Sequence, residues 1–301
     1  MLSDFNSHFL VQIISTENVI RSKNLKSKLT ELGLKFQISP GVVPTEMDFN
    51  AGLLHSKYLS KLLCQRKLSI GEVGCALAHK NAINEFLNSD HKFGIIFEDD
   101  AEIIADFDCD VIVQCLNSND PVIIALGWIP GFAIAKKSNE SSDDKPVELM
   151  TSPTCAFAYA INRPAAKFMA ESQKKLIDLA DWPIYTLNKV RFYSIHSHLP
   201  WVTANHDPKF SIIGDRSIST PKSLIGVLVN RISLAGSLVS LFLLSNTNKL
   251  DVSPKQIVHR LLIRDMLYKY GNSQLHNKES KYEVIALPLK FQKLLALLKI
   301  S

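Results

Sequence analysis

The sequence predicts an α/β fold, a mixed, mostly parallel sheet flanked by helices, with a basic helical extension at its C-terminal end. Three observations carry this expectation. Short apolar runs rich in β-branched residues alternate with helical stretches over residues 9–180, the pattern of consecutive βαβ units. Gly and Pro punctuate the ends of several runs, as at Gly33 and Pro40-Gly41, where chains turn. Three acids, Glu98-Asp99-Asp100, directly follow the apolar run FGIIF, and open α/β sheets place their ligands at such carboxyl ends.

Phe9 to Ser15 (FLVQIIS) is the first strand, and Arg21 to Leu34 follows as a helix with Leu25, Leu29 and Leu32 at helical spacing. Gly33 closes that helix, and Lys35 to Ser39 gives a second strand. A short helix is expected around Leu53 to Leu63. Ser69 is placed to cap a helix running from about Gly71 to Leu87, with Val73, Ala76, Leu77, Ile83 and Phe86 on one face. Strands follow at Phe93 to Phe97, Pro121 to Leu126 and residues 154–161, and 137–146 reads as an exposed loop. Asn162-Arg163-Pro164 opens a helix to about Leu179, with Pro near the first helical position. Beyond residue 216 the pattern is helical, without internal repeats. The expected division is a first domain over residues 1–215 and a helical region over 216–301.

A chain of 301 residues with 46% apolar and 21% charged residues can bury a substantial core and is not disordered in composition. Its net charge of +5 is uneven, because residues 216–301 hold 13 Lys/Arg against 4 Asp/Glu. Two readings stand for this basic end: attraction to an anionic membrane surface, or a solvated helical face. No nucleic-acid partner is expected. The five cysteines form no C-x-x-C pair, so reduced, mostly buried thiols are expected rather than disulfides or a structural zinc site, with Cys75 in the core. Residues 1–20 lack the features of a secretory leader, which points to the cytoplasm. The apolar segment Leu224 to Leu244 is interrupted by Asn230 and Arg231. An arginine inside a span costs about 2.5–3.5 kcal/mol, so burial or shallow membrane docking is expected there.

Three adjacent carboxylates at a strand end repel one another unless a cation joins them. Hard oxygen ligands suit Mg²⁺ or Mn²⁺, and such an ion can grip a diphosphate. Arg21 suits phosphate oxygens and can pair with a diphosphate or lie near a base. Gly71 and Gly74 permit close backbone approach at a helix start, where anions bind. Glu72 and His79 are two helical turns apart on one face and can line a shared pocket. Asn205-His206-Asp207 lies in a polar stretch after Trp201, so Asp207 is a candidate base and His206 an alternative metal ligand.

The stretch Ser69 to Lys80 (SIGEVGCALAHK), followed about twenty residues later by FGIIFEDDAEI, resembles glycosyltransferase family 25 of lipopolysaccharide and lipooligosaccharide biosynthesis. That family's pattern is a GE-x-GC-x-x-SH helix start and an apolar strand ending in EDD. Ala78 is the departure, standing where the family commonly has Ser. The resemblance extends to Arg21, Leu126-Gly127 and Tyr159 to Ala166, over roughly residues 8–205. It implies a GT-A-like, Rossmann-like fold and a UDP-hexose donor, UDP-galactose or UDP-glucose. It also implies inversion at the anomeric carbon onto a lipid-linked oligosaccharide acceptor.

The roles that follow are expectations. Glu98 and Asp100 hold the metal, with Asp100 the direct ligand, while Asp99, Arg21, Gly71, Glu72 and His79 contact the donor. Inversion needs a base, for which Asp181 is the first choice and Asp207 the second. Trp182, next to Asp181, offers an indole that can stack on a sugar face or simply pack at a helix end. Two other readings remain open: a metal-dependent phosphodiesterase or nucleotide-sugar hydrolase, and a non-catalytic glycolipid-binding protein. The basic tail places the acceptor at the cytoplasmic face of the membrane.

Overall fold

Helix α1 (Leu2–His8) leads into strand β1 (Phe9–Ser15), whose seven residues are all buried, as befits a strand covered on both faces. A computed structural model of the chain describes residues 2–16, 19–51, 54–58, 60, 68–105, 108–127, 146–149, 153, 156–172, 176, 180, 182, 186, 189–194 and 201–204. Asp181, His206, Asp207 and the whole 216–301 region, including Leu224 to Leu244, lie outside these residues. So do residues 53, 59 and 61–63 of the helix expected at 53–63 and the loop at 137–146, Pro146 apart.

Helix α2 (Val19–Glu31) buries Leu25 and Leu29. It ends as its glycine requires: Gly33 adopts φ 68°, the Leu34 amide returns to the Leu29 carbonyl, and the Gly33 amide to Thr30. These two bonds satisfy carbonyls that a helix end otherwise leaves unpaired. Strand β2 (Gln37–Pro40) then pairs in parallel with β1, from Gln12↔Gln37 to Ser15↔Pro40. The opening βαβ unit is as the sequence predicts, and β2 is an edge strand, where a proline is tolerated.

After α3 (Glu46–Ala51), helix α4 (Ile70–Leu87) starts on the expected cap. The Ser69 hydroxyl accepts from the Glu72 amide at 3.2 Å, and the Glu72 carboxylate accepts from the Ser69 amide at 2.9 Å. This reciprocal pair is a capping box. Gly74 sits where any side chain would strike neighbouring backbone, since a Cβ would lie 2.3 Å from the Val42 carbonyl oxygen. Its smallness is what lets α4 pack against the chain following β2.

The remaining strands are β3 (Phe93–Glu98), β4 (Ala101–Ile103), β5 (Val122–Ala125), β6 (Val147–Leu149), β7 (Ala158–Asn162), β8 (Arg191–Ser194) and β9 (Val202–Ala204). The remaining helices are α5 (Cys109–Leu116) and α6 (Arg163–Ser172). The main sheet has the order β2-β1-β3-β7-β5-β8-β6, and β4 pairs with β9 separately. Strands β1, β2, β3, β5 and β8 point one way, while β7 runs antiparallel to β3 and β5, and β6 to β8. The sheet is thus mixed and mostly parallel.

One core packs α2 and α5 on one face, with Leu25, Leu29, Ile112 and Leu116 against Val11, Ile95 and Ile124. The other packs α4 and α6 on the opposite face, with Ile83, Phe86 and Met169 against Ile96 and Ile161. Asn162 ties the layers together at the end of β7: its amide donates to the carbonyls of Leu116, Ser118 and Asp120, and its oxygen accepts from Val122 and Ala165. Arg163 donates to the carbonyls of Leu87, Ser89 and His91, covering the end of α4. No described helix is long and apolar enough to cross a membrane.

Candidate functional site

Strand β3 delivers the acid triplet, and the period of two along a strand divides it. Glu98 shares its face with Ile96, toward α4. Asp99 shares the opposite face with Phe97, toward α2, and Asp100 follows in the turn. One run of like charges thereby becomes two environments.

On the α2 side the cation is a side chain. Arg21 places Nε 3.2 Å from Asp99 Oδ1 and Nη2 2.8 Å from Asp100 Oδ2, and the Ser15 hydroxyl donates to Asp99 Oδ2 at 3.3 Å. One planar guanidinium thus reaches both carboxylates, which a lysine could not do with fixed geometry. The structure places the expected donor residue Arg21 in contact with both acids.

The arrangement stays electrostatically tense. Burial, then the charge of Glu98, push the Asp100 carboxyl up to about 6 against the opposing pull of Arg21. Burial likewise raises Asp99, opposed chiefly by Arg21. Asp100 Oδ1 is buried and has no hydrogen-bond partner among the described residues. A buried, unpartnered carboxylate oxygen with a pKa raised by burial and by the neighbouring Glu98 charge fits the hard divalent ion that the resemblance implies. Asp100 is the residue that would hold Mn²⁺ or Mg²⁺.

Glu98 has different partners. Its Oε1 lies 3.2 Å from His79 Nε2 and 3.8 Å from Cys75 Sγ, while His79 Nδ1 lies 3.1 Å from the Tyr159 hydroxyl. Tyr159 is fully buried on β7, and burial together with the charge of Glu98 pushes its phenol far up, so it stays protonated. Cys75, expected in the core, is only half-buried and belongs to this cluster. Its signal was present in the sequence, since Cys75 and His79 are four apart on one face of α4.

Of the other expected contacts, Glu72 is buried and caps α4, and Gly71 lies in the first turn of that helix. Trp182 takes the packing role. Its indole is 1% exposed and packs edge-on against Tyr159 and Phe192, so it presents no face to a sugar. Its backbone sits at φ 55°, a left-handed conformation that costs a bulky residue about 1–3 kcal/mol.

The comparisons with known proteins bear on this chemistry through sequence. No curated protein matches the chain. Among solved structures it is similar to A197 from STIV, with 16% identity and a TM-score of 0.37 over 65% of this chain and 84% of that one. A glycosyltransferase involved in glycosylation of the major capsid of PBCV-1 matches at 8% identity and a TM-score of 0.26, over 53% and 62%. A putative glucose-1-phosphate thymidylyltransferase from Bacillus anthracis matches at 11% and 0.34, over 65% and 89%. Assignment rests instead on the family pattern for glycosyltransferase family 25 (LPS biosynthesis protein), which matches residues 9–184 and so includes Arg21, the α4 cluster and the acid triplet. The chain belongs to glycosyltransferase family 25.

Proposed function

We propose that the chain transfers a hexose, galactose or glucose, from its UDP-sugar to an oligosaccharide acceptor of lipopolysaccharide or lipooligosaccharide, with inversion at the anomeric carbon. The observation that supports this reading best is the buried, unpartnered Asp100 Oδ1 at the carboxyl end of β3, beside the guanidinium of Arg21. When bound there, a divalent ion supplies positive charge to offset a departing diphosphate. Arg21 fixes the two carboxylates, and α4 closes the opposite side through His79 and Glu98. Asp181 or Asp207 takes the acceptor hydroxyl proton in this reading.

The test is purified protein with Mn²⁺ and a panel of UDP-, GDP- and CMP-sugars, scored for nucleotide release with and without truncated lipooligosaccharide. Acceptor-dependent UDP release from one sugar, lost in EDTA and in Asp100→Ala, is the expected result. Release without acceptor would identify a hydrolase, and the absence of both release and donor binding a glycolipid-binding protein.

The basic region 216–301 serves in this reading to meet the acceptor at an anionic membrane surface. Deleting it should leave transfer to a soluble acceptor intact while reducing sedimentation with anionic vesicles. Unchanged sedimentation would remove the membrane role.

A further inference from the structure

We propose that Cys75, His79 and Glu98 form a three-ligand site for a borderline-soft divalent ion of the Zn²⁺ class. This site is separate from the oxygen site at Asp100 and independent of the transferase reading. One ligand atom from each of the three residues lies within 4.8 Å of the other two. In a tetrahedral zinc site, bond lengths near 2.0–2.3 Å put neighbouring ligand atoms about 3.4–3.6 Å apart. The observed separations, 3.2 Å from His79 Nε2 to Glu98 Oε1 and 3.8 Å from Cys75 Sγ to the same oxygen, bracket that spacing.

The scaffold is suited to the task. Cys75 and His79 project from consecutive turns of one helix face, an i, i+4 pair that keeps two ligands in fixed register. Glu98 comes from a separate rigid element, the end of β3. Behind the ring, Tyr159 lies 3.1 Å from His79 Nδ1 and stacks against the imidazole at 5.7 Å between centroids. With metal on Nε2, Nδ1 carries the proton and donates it to the Tyr159 oxygen, an outer contact that orients ligating histidines.

Sulfur, nitrogen and carboxylate together select zinc-like ions over Mg²⁺, which takes oxygen alone. Binding requires the Cys75 thiolate, so one proton leaves the site as the ion enters. Three protein ligands leave one position for water or a substrate oxygen.

Co²⁺ titrated into the full-length, metal-stripped chain is the direct probe, because cobalt reports sulfur ligation by a thiolate-to-metal charge-transfer band. One equivalent should bind with that band, and one equivalent of Zn²⁺ should remove it, whereas excess Mg²⁺ should not. Cys75→Ser should abolish the band with the circular-dichroism spectrum unchanged, while Cys115→Ser and Asp100→Ala should keep it. Tyr159→Phe should weaken binding by about 10-fold or more. Zn²⁺ should also protect Cys75 of the unmodified chain from alkylation, as read by peptide mass spectrometry, which requires no variant to fold. Absence of the band, its survival in Cys75→Ser, or equal Cys75 alkylation with and without Zn²⁺ would overturn the site. None of these readouts depends on donor turnover, so the site and the transferase reading fail separately.

Discussion

Asp100→Asn should raise the unfolding temperature of the metal-free chain at pH 7 while lowering donor turnover on the order of 100-fold. The stability gain follows from the sign of the titration. Asp100 is held at about 6 in the folded chain against an ordinary value of 3.8. Between those values the folded chain keeps a proton that the unfolded chain has released. The contribution of Asp100 to stability is therefore greatest below about pH 4 and falls as pH rises through 6, beyond which the full penalty persists. Two units correspond to about 3 kcal/mol, and sharing among Glu98, Asp99 and Asp100 brings the single-site expectation to about 1–3 kcal/mol. Asparagine keeps the shape and removes the charge, so it escapes this penalty. The shift should be several degrees, since about 1 kcal/mol moves a domain of this size by 2–4 °C. Thermal unfolding in EDTA across pH 4–8 decides the matter: the advantage of Asp100→Asn over the wild type should be small at pH 4 and grow toward its full size above pH 6. Mn²⁺ at pH 7 should stabilise the wild type and not the variant. A variant less stable than wild type at pH 7 would show that the pair with Arg21 outweighs the buried charge. Stability given up at a buried acid in return for activity is the trade expected at a functional site.

Much of this arrangement can be read along the chain, and the unreadable parts share a physical reason. Ser69 and Glu72 are three residues apart, and a capping box is a local code, so the start of α4 is legible. Gly33 is legible for the same reason, because only a residue at ease in the left-handed region closes a helix this way. The acid triplet could be placed at a strand end from the run FGIIF alone. What could not be read is how the triplet divides. That depends on α2 lying against one face of β3 and α4 against the other, and Arg21 meets Asp100 across 79 positions of sequence. An expectation of repulsion relieved by metal had no means of seeing a guanidinium already there. Cys75 looked like core because Glu98, whose carboxylate lies beside its thiol, comes from a different element. Strand parity, which puts Glu98 on the α4 face with Ile96, was the available clue. Trp182 was open between a sugar platform and simple packing, and its contacts with Tyr159 and Phe192, from two distant strands, decide for packing.

Removing the guanidinium should be strongly destabilising. Arg21→Ala strands two carboxylates whose side chains are 10% and 15% exposed, and breaking a buried pair from one side costs about 3–5 kcal/mol. The loss should depend on pH in a way a lost packing contact would not. Arg21 holds both acids down against burial, so without it their carboxyls rise further and protonate more readily. The deficit at pH 7 should therefore shrink on acidification toward pH 5. Chemical denaturation at both pH values measures it, and a deficit of equal size at the two would mean that Arg21 acts through packing alone. Arg21→Lys should recover only part, because a single ammonium cannot reproduce the contacts of Nε and Nη2 to two different carboxylates. Arg21→Ala combined with Asp100→Asn supplies the coupling: with one charge gone, the loss caused by Arg21→Ala should fall by roughly 1–3 kcal/mol. Strict additivity of the two changes would mean that Asp99, which Arg21 also holds, carries the whole of the pairing energy.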